Sequence, residues 1–323
     1  MEEPTLAIHG LRAAFPGRTG LVTAVDGVDL IVPHGTIVGL VGESGCGKSV
    51  TALSVMGLLP PPGRVLEGRL CFAGQDLLTL SPKAWRKLRG DRMAMIFQDP
   101  MTSLNPVYSV GRQVAEVLRL HRGLTRPQAR QQTIDLFRQV GIPDPAARYD
   151  AYPRQLSGGL RQRVMIAMAM ACHPQLLIAD EPTTALDGTI QAQILRLMDQ
   201  LRRDHGTAVL LITHNMGVVA QVCDLVYVMY AGQIVEAAET FSLFAAPQHP
   251  YTLGLLRAIP SLETEQARLD TIPGVVPDLA DPPPGCRFCP RCAWAGPECA
   301  QAMPPLTDRG EGHLVRCFRE VTP

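Results

Sequence analysis

One eight-residue segment of the chain has the residue types and spacing of a phosphate-binding loop. Residues 42–49 read Gly-Glu-Ser-Gly-Cys-Gly-Lys-Ser, which fits the pattern G-x-x-x-x-G-K-[ST] without a gap. The glycines let backbone N–H groups wrap around phosphates, and the start of a following helix adds positive potential. Lys48 would reach the β- and γ-phosphates, and the Ser49 hydroxyl would bind Mg²⁺. The alternative is a glycine-rich turn that only reverses the chain. The predicted nucleotide-binding residues in and directly after the segment are Gly42, Ser44, Gly45, Cys46, Gly47, Lys48, Ser49 and Val50.

Two adjacent carboxylates follow a short apolar run. Residues 176–179 read Leu-Leu-Ile-Ala, a pattern typical of a buried strand, and Asp180 and Glu181 come directly after it. In a nucleotide site, Asp180 would hold the magnesium ion and Glu181 would polarise the water that attacks the γ-phosphate. Adjacent acids after a strand can instead cap a helix, and taken alone they favour that interpretation. The phosphate-binding loop upstream favours the hydrolytic one.

Two further polar residues each follow a predicted strand. His214 comes after the apolar run 208–213, and Gln98 comes after 93–97. Parallel strands bring their carboxyl ends to one edge of a sheet, where ligands bind in such folds. We therefore predict that His214 senses the γ-phosphate and that Gln98 reaches Mg²⁺ or the attacking water. A lone His is more often structural, which is the alternative for His214.

The pattern of apolar residues predicts the elements that would position these groups. Strands are expected at 36–41, 93–97, 176–179, 208–213 and 225–230. Helical periodicity falls between them, at 49–59, 109–141 and 189–203. Alternation of strands and helices predicts an α/β fold with a mainly parallel sheet that is covered on both faces.

Composition limits the classes of protein to which the chain can belong. It has 323 residues, of which 46% are hydrophobic and 19% charged, as expected of a folded globular protein. The 30 basic and 30 acidic residues give no electrostatic reason to expect nucleic acid as a partner. No apolar run approaches the roughly 20 residues of a membrane-spanning helix. The N-terminus is acidic and lacks the features of a signal peptide, so we expect a cytosolic chain whose membrane role, if any, comes through a partner.

A second glycine-containing helix start lies at residues 156–163, which read Leu-Ser-Gly-Gly-Leu-Arg-Gln-Arg. This segment resembles the signature sequence of ABC-family ATPases, and the order of the motifs matches that family over about residues 5–238. The resemblance implies ATP and Mg²⁺ as ligands and hydrolysis of ATP as the activity. It also implies that Ser157, Gly158 and Gly159 face the γ-phosphate held by a homologous ATPase subunit, in a heterodimer or a homodimer.

The same resemblance assigns two further nucleotide contacts, and the chain departs from the family pattern at two positions. Asp187, in Ala-Leu-Asp after the carboxylate pair, corresponds to the D-loop, and Phe15 is the candidate for stacking on adenine. Leu160 stands where many members carry Gln, and Asn215 stands where Asp is common after the switch His. Neither departure removes a proposed catalytic group.

Other segments resemble the ATPase subunits of dipeptide and oligopeptide importers. They are Met-Ile-Phe-Gln-Asp-Pro-Met-Thr-Ser-Leu-Asn-Pro at 95–106, His-Pro-Tyr-Thr at 249–252, and the Cys-containing stretch 285–292. The resemblance implies two transmembrane permease subunits as partners, an external solute-binding protein acting indirectly, and a position on the cytoplasmic face of the bacterial inner membrane. The segment after Gln98 would receive the permease, although a surface loop rich in turn residues is also compatible. The alternatives are the same motor serving another solute, such as nickel, or a soluble ABC ATPase.

Five of the nine cysteines lie in the last forty residues. In a reducing cytosol, such clustering favours a metal site over disulfides. Cys286, Cys292, Cys299 and Cys317 match the four Cys positions of the peptide-importer tails, which implies a [4Fe–4S] cluster. Four thiolates also suit zinc, and a tail without metal remains open. Cys289 is not used by the family pattern and is interpreted as a spare.

The predicted domain organisation follows from these motifs. An ABC ATPase domain would occupy residues 1–240, with an inserted helical subdomain at about 102–167. Residues 241–284 would form a linker or regulatory segment. Residues 285–323 would form a small Cys-rich, metal-binding tail.

Overall fold

The computed structural model describes residues 3–18, 20–99, 103–183, 188–259 and 271–320. The strands are β1 Leu6–Pro16, β2 Leu21–Val32, β3 Ile37–Val41, β4 Arg64–Phe72, β5 Gln75–Asp76, β6 Met93–Ile96, β7 Leu176–Asp180, β8 Ala208–Thr213, β9 Leu225–Tyr230, β10 Gln233–Glu239, β11 Thr307–Asp308 and β12 Leu314–Val315. The helices are α1 Lys48–Val55, α2 Pro82–Leu88, α3 Val110–Arg122, α4 Arg126–Gln139, α5 Pro145–Arg148, α6 Gly158–Met170, α7 Gly188–His205, α8 Met216–Val222, α9 Thr240–Ala245, α10 Pro250–Arg257 and α11 Pro297–Gln301. Short 3₁₀ turns occur at Leu77–Thr79, Pro153–Gln155 and Cys289–Arg291.

The chain forms two compact units. One unit consists of Met1–Thr5, Pro33–Thr36 and Thr79–Leu211, and the other consists of Leu6–Val32, Ile37–Leu78 and Ile212–Pro323. The second unit contains both the phosphate-binding loop and the Cys-rich tail. We refer to it as the loop unit, and to the other as the helical unit.

An antiparallel sheet of strand order β2-β1-β4-β5 lies in the loop unit. β1 pairs with β2 on one side and with β4 on the other, so that Leu6 lies opposite both Val32 and Phe72. These three side chains are fully buried. This sheet is not apparent from the sequence, because the pairing of β1 contains register shifts that interrupt the two-residue alternation of a strand.

The loop unit also holds β3, which pairs in parallel with β9. β9 pairs antiparallel with β10, and the tail adds β12 to the far side of β10 and β11 to β12. All five residues of β3 are buried, as expected of a strand covered on both faces. The buried apolar residues of β3, β9 and β10 therefore form much of the core of this unit.

The helical unit combines parallel strands with most of the long helices. β6 pairs in parallel with β7, and β8 lies on the other side of β7. Gly123 ends α3 in the left-handed conformation, and Thr125 with Gln128 forms a capping box that begins α4. The predicted helical stretch 109–141 is thus two helices, which are separated at residues 123–125. Within the described ranges, no helix is long and apolar enough to cross a membrane.

Candidate functional site

The phosphate-binding loop connects β3 to α1, so a buried strand and a helix fix its two ends. Two glycines let it pass close to other backbone. A Cβ on Gly42 would lie 2.1 Å from the carbonyl oxygen of Met229, and a Cβ on Gly47 would lie 2.4 Å from that of Ala24. Gly47 also has φ +108°, and it caps the first turn of α1. The loop conformation is therefore available to glycine alone at these two positions.

Lys48 lies inside the loop with only 5% of the residue exposed. Its Nζ donates to the carbonyl oxygens of Gly42 at 2.7 Å and Glu43 at 2.9 Å, and lies 3.7 Å from Cys46 Sγ. A protonated amine surrounded by the first residues of the loop is suited to an anionic ligand that the loop encloses. Binding of the β- and γ-phosphates by Lys48 stays a prediction.

Cys46 is a buried packing residue of the loop. Burial raises the pKa of its thiol, and the nearby Lys48 ammonium offsets this only in part. The backbone oxygen of Cys46 accepts a hydrogen bond from Gly232 N–H at 2.8 Å, which ties the loop to the turn between β9 and β10. Ser44 and Gly45 are exposed, whereas Ser49 and Val50 are half-buried in the first turn of α1.

Phe15 lies at the end of β1 and is half-buried. Its ring packs on Gly63, because a Cβ at Gly63 would lie 2.3 Å from the ring. His214 follows β8, the strand predicted at 208–213, and is exposed. Stacking of Phe15 on adenine and the sensor role of His214 stay predictions.

Asn215, the departure from the family pattern after His214, has a structural role. Its Oδ1 accepts hydrogen bonds from the N–H groups of Gly217 at 2.9 Å and Val218 at 3.3 Å, and so caps α8. Asn and Asp are comparably good N-caps. The substitution therefore leaves the start of α8 intact.

Three predicted site residues, the catalytic Gln98 and Glu181 and the Mg²⁺-binding Asp180, lie in the helical unit at the ends of two neighbouring strands. Gln98 follows β6, and its Nε2 donates to Glu181 Oε2 at 3.0 Å. Asp180 ends β7 and is 4% exposed, and Glu181 follows it with φ +47°. A non-glycine residue at positive φ is uncommon and is often found at functional sites. The structure thus brings Gln98 and Glu181 together, as two polar groups able to orient one water molecule.

The signature segment begins α6. Ser157 is the N-cap residue, and its side chain accepts a hydrogen bond from Leu160 N–H at 3.4 Å. Ser157 and Gly158 are exposed, and among the described residues no atom beyond the chain neighbours of Gly158 and the nearby backbone of α6 lies within 4 Å of a Cβ placed on Gly158. An exposed helix N-terminus with space around it is suited to bind an anion presented from outside the unit. Asp187 and the rest of the D-loop lie outside the described residues.

The tail cysteines share one small cavity. Cys286, Cys289, Cys292, Cys299 and Cys317 all line it. Burial raises the pKa of the thiols of Cys286 and Cys317, and it raises that of Cys292 to about 11, with neighbouring thiols adding to the effect. Across the described ranges, no three His, Cys, Asp or Glu side chains are arranged to hold a metal ion. The predicted iron–sulfur site is therefore not confirmed, although its four sulfur donors line one cavity.

Three residues from the C-terminal part of the chain, whose roles the sequence did not indicate, contact the loop or the turn between β9 and β10 that is bonded to it. Arg291 pairs with Glu43, Tyr251 accepts a hydrogen bond from the backbone of Glu43, and Arg287 pairs with Asp26. Glu43 occupies an unspecified position of the phosphate-loop pattern, and the two arginines lie among the tail cysteines. No spacing rule connects positions so far apart in the chain.

Comparison with known proteins identifies two family regions. Residues 25–184 match the family "ABC transporter", and residues 235–299 match "Oligopeptide/dipeptide transporter, C-terminal region". The chain is 51% identical to the dipeptide transport ATP-binding protein DppD of Escherichia coli, over 97% of this chain and 95% of that protein. It is 49% identical to DppD of Bacillus subtilis, over 98% and 95% of the two chains.

Solved structures agree on the fold. The ATP-binding cassette MJ0796, in a dimer bound to ADP and Pi, matches 73% of this chain and 98% of its own with a TM-score of 0.67 and 24% identity. The protein cbiO1 of Clostridium perfringens, part of the transporter complex cbiONQ, matches 76% and 92% of the two chains with a TM-score of 0.63 and 26% identity. The predicted α/β cassette fold is confirmed.

Proposed function

Because the chain belongs to the ABC transporter family and is an ATPase, we propose that it powers the import of di- and oligopeptides through a membrane permease. The observation that carries this proposal is the match to dipeptide transport ATP-binding proteins over nearly the whole chain, tail included. The geometry of the phosphate-binding loop supports it, since the loop encloses the ammonium of Lys48.

Each predicted site residue has a role in the proposed hydrolysis. Lys48 holds the β- and γ-phosphates, and Ser49, with Asp180, holds Mg²⁺. Glu181 accepts the proton of the attacking water, and Gln98 orients the same water or the metal. The hydrogen bond between Gln98 and Glu181 supports a shared water. His214 contacts the γ-phosphate, and Phe15 contacts the adenine.

The assembly that we propose is a dimer of ATPase subunits beneath two permease subunits. Ser157, Gly158 and Gly159 bind the γ-phosphate on a homologous partner subunit, and Asp187 lies near the same nucleotide. The exposure of the α6 N-terminus supports this role, because its backbone N–H groups are accessible to a phosphate that is bound to another subunit. The complex would sit on the cytoplasmic face of the membrane, with the segment after Gln98 in contact with the permease and an external binding protein delivering the peptide.

The tail would hold a [4Fe–4S] cluster through Cys286, Cys292, Cys299 and Cys317, with zinc as the alternative metal. The common cavity of these four residues supports the donor set. A metal bound there would cross-link a tail in which the described residues, 285–320, form one short 3₁₀ turn, one short helix and two two-residue strands.

The test of the proposed function is the Glu181→Gln variant, assayed together with the permease in vesicles. The amide keeps the shape of Glu181 but cannot accept a proton. We expect near-normal ATP affinity, turnover reduced by about 100-fold or more, loss of ATP-driven peptide uptake and accumulation of an ATP-bound dimer on size exclusion.

The matched control is Ser157→Arg in the Glu181→Gln background. It should leave ATP binding by the separate subunit intact and prevent dimer accumulation. Full ATPase activity in Glu181→Gln would contradict the catalytic assignment. Active ATPase that drives uptake of no peptide would contradict the proposed cargo.

A further inference from the structure

Arg291 of the Cys-rich tail is a buried side chain with hydrogen bonds on all three guanidinium nitrogens. Only 3% of the side chain is exposed. Its Nη1 and Nη2 bind the two carboxylate oxygens of Glu43 at 2.6 and 3.0 Å. Nη1 also donates to Tyr230 Oη, Nε donates to the carbonyl of Pro273, and Nη2 donates to that of Ile272. All five N–H donors of the guanidinium therefore have an acceptor.

Glu43, the partner of Arg291, is the second residue of the phosphate-binding loop. Its backbone N–H donates to Tyr251 Oη at 2.8 Å, and its carbonyl oxygen accepts from Lys48 Nζ at 2.9 Å. The carboxylate, the N–H and the carbonyl of one loop residue are thus each held by a different partner. Two of these partners lie more than 200 positions away in the sequence. The third is the lysine that we assign to the phosphates.

The fold of the cysteine segment fixes the position of Arg291. Arg291 ends the 3₁₀ turn Cys289–Arg291. Shortly before this turn in the chain, the backbone N–H of Cys286 donates a hydrogen bond to the carbonyl of Cys299 at 2.7 Å. The ring of Phe288 packs against Tyr230 and Tyr251, with centroid distances of 5.2 and 5.4 Å. The guanidinium is therefore presented to Glu43 by a segment that is hydrogen-bonded to Cys299 and packed on two buried tyrosine rings.

A second tail arginine makes a parallel contact. Arg287 forms an ion pair with Asp26 and donates to the carbonyl of Ala231. The next residue, Gly232, donates to the backbone oxygen of Cys46 in the loop and accepts from the N–H of Asp26. The tail thus contacts the phosphate-binding loop directly through Arg291. Arg287 contacts it indirectly, through the turn at Ala231 and Gly232.

We propose that Arg291 is a positioning residue for ATP binding, which makes the Cys-rich tail a structural part of the nucleotide site. Through Glu43 it fixes the start of the loop and the carbonyl that orients Lys48. This inference rests on the proposed binding of ATP at the loop. Removing Arg291 leaves the carboxylate of Glu43 without its cation, so the loop rearranges and binds the phosphates less tightly.

The experiment measures KM and kcat for ATP, and the ATP dissociation constant by calorimetry, in full-length wild type, Arg291→Ala, Glu43→Gln and the double variant. We expect each single change to raise KM and the dissociation constant about tenfold, with kcat within about twofold of wild type. In the double variant, KM and the dissociation constant should be no higher than in either single variant, because both changes remove the same ion pair. Arg291→Lys, which keeps the charge but loses the bidentate geometry, should be intermediate.

Arg319→Ala is the matched control. It breaks the 2.8 Å ion pair between Arg319 and Glu298, which also lies in the tail but is exposed and has no contact with the loop. KM should stay at the wild-type value in this variant. If Arg291→Ala does not fold, as judged by its melting transition, Arg291→Lys and Glu43→Gln decide the question.

Three results would overturn the inference while leaving the proposed function intact: an unchanged KM in Arg291→Ala, additive effects in the double variant, or a loss of kcat at constant KM. The last is expected if the change only lowers the fraction of folded protein. Failure of wild-type protein to bind ATP would instead contradict the proposed function itself.

Discussion

Lys48 shows how single residues define the chemistry of the phosphate-binding loop. Its ammonium is almost fully buried, and it donates to two carbonyls of the loop that contains it. Burying a cation is unfavourable unless polar groups replace its hydration, and here the backbone of Gly42 and Glu43 does so. The position of the Lys48 ammonium therefore depends on the backbone carbonyls of Gly42 and Glu43.

Replacing Lys48 by Ala should weaken ATP binding by about 10- to 100-fold, since a hydrogen bond to a charged group contributes about 1.5–3 kcal/mol. Calorimetric titration with ATP would measure the change. Lys83→Ala is the matched control, because Lys83 is an exposed lysine near the start of α2. An unchanged dissociation constant in Lys48→Ala would show that residues 42–49 do not bind the phosphates.

For single residues, the sequence predicts the roles of the positions that a motif specifies, and it does not predict the roles of the positions that the motif leaves open. The positions of Lys48, Gly42 and Gly47 follow from a spacing rule that encodes a loop geometry. The role of Glu43 does not, because the pattern accepts any residue there. Its carboxylate acquires a function only through Arg291, and a contact between residues so distant in the chain leaves no mark on local sequence.

Among the elements, α10 depends on a histidine cap. His249 is the N-cap residue, and its Nδ1 accepts a hydrogen bond from Tyr251 N–H at 3.1 Å. Burial lowers the pKa of His249 to about 4, with the charge of Arg309 acting in the same direction, while Glu236 and a backbone hydrogen bond with Arg316 oppose it. The imidazole is therefore neutral in the folded chain at physiological pH, as its role of acceptor requires.

The cap predicts how stability responds to acid. Above pH 6.5, His249 is neutral in the folded and the unfolded chain. As the pH falls from 6.5 to about 4, only the unfolded chain takes up the proton. The free energy of unfolding should then decrease by roughly 3 kcal/mol from this residue alone, and the loss should stop below the folded pKa.

Urea denaturation of wild type and His249→Asn between pH 7.5 and 4 would measure this effect. Asn also caps helices but does not titrate, so the variant should lose less stability over this range. His9→Asn, at an exposed histidine of β1, should behave as wild type. Equal slopes in wild type and His249→Asn would show that the histidine titrates normally in the folded chain.

Buried elements were easier to predict than half-exposed ones. Apolar runs such as β3 and β8 were found within one residue of their observed bounds, because strands covered on both faces consist of consecutive apolar residues. The antiparallel sheet of β1, β2 and β4 escaped prediction. Its strands are irregularly paired, and β4 is largely exposed, so their two-residue pattern is weak.

For the whole molecule, the tail extends the unit that contains the phosphate-binding loop. β12 adds to β10, with Glu236 opposite Val315, and the cysteine turn packs on Tyr230 and Tyr251. A segment that contributes so few regular elements needs additional cross-links to hold this position. The proposed metal at Cys286, Cys292, Cys299 and Cys317 would supply them.

The composition of the tail site can be tested by colour and metal analysis. Protein purified without oxygen should be brown, contain about four irons per chain and bleach on reduction. Ser in place of any one of Cys286, Cys292, Cys299 or Cys317 should remove the colour, because the cluster needs all four thiolates. The change Cys289→Ser is the matched control and should leave the colour in place.

Two outcomes would contradict this assignment. Colourless protein with one zinc per chain would replace the cluster by a zinc site. Loss of colour in Cys289→Ser, but not in Cys317→Ser, would show that Cys289 is the fourth ligand.

The ion pair between Glu43 and Arg291 also sets the order in which the protein matures on the ribosome. The two residues are 248 positions apart. At about 5–20 residues per second, roughly 12–50 s pass between the synthesis of one and of the other. During that interval the nascent phosphate-binding loop lacks the cation that pairs with Glu43, and a chain that terminates before Arg291 lacks it permanently. The ion pair can therefore form only after Arg291 has been synthesised.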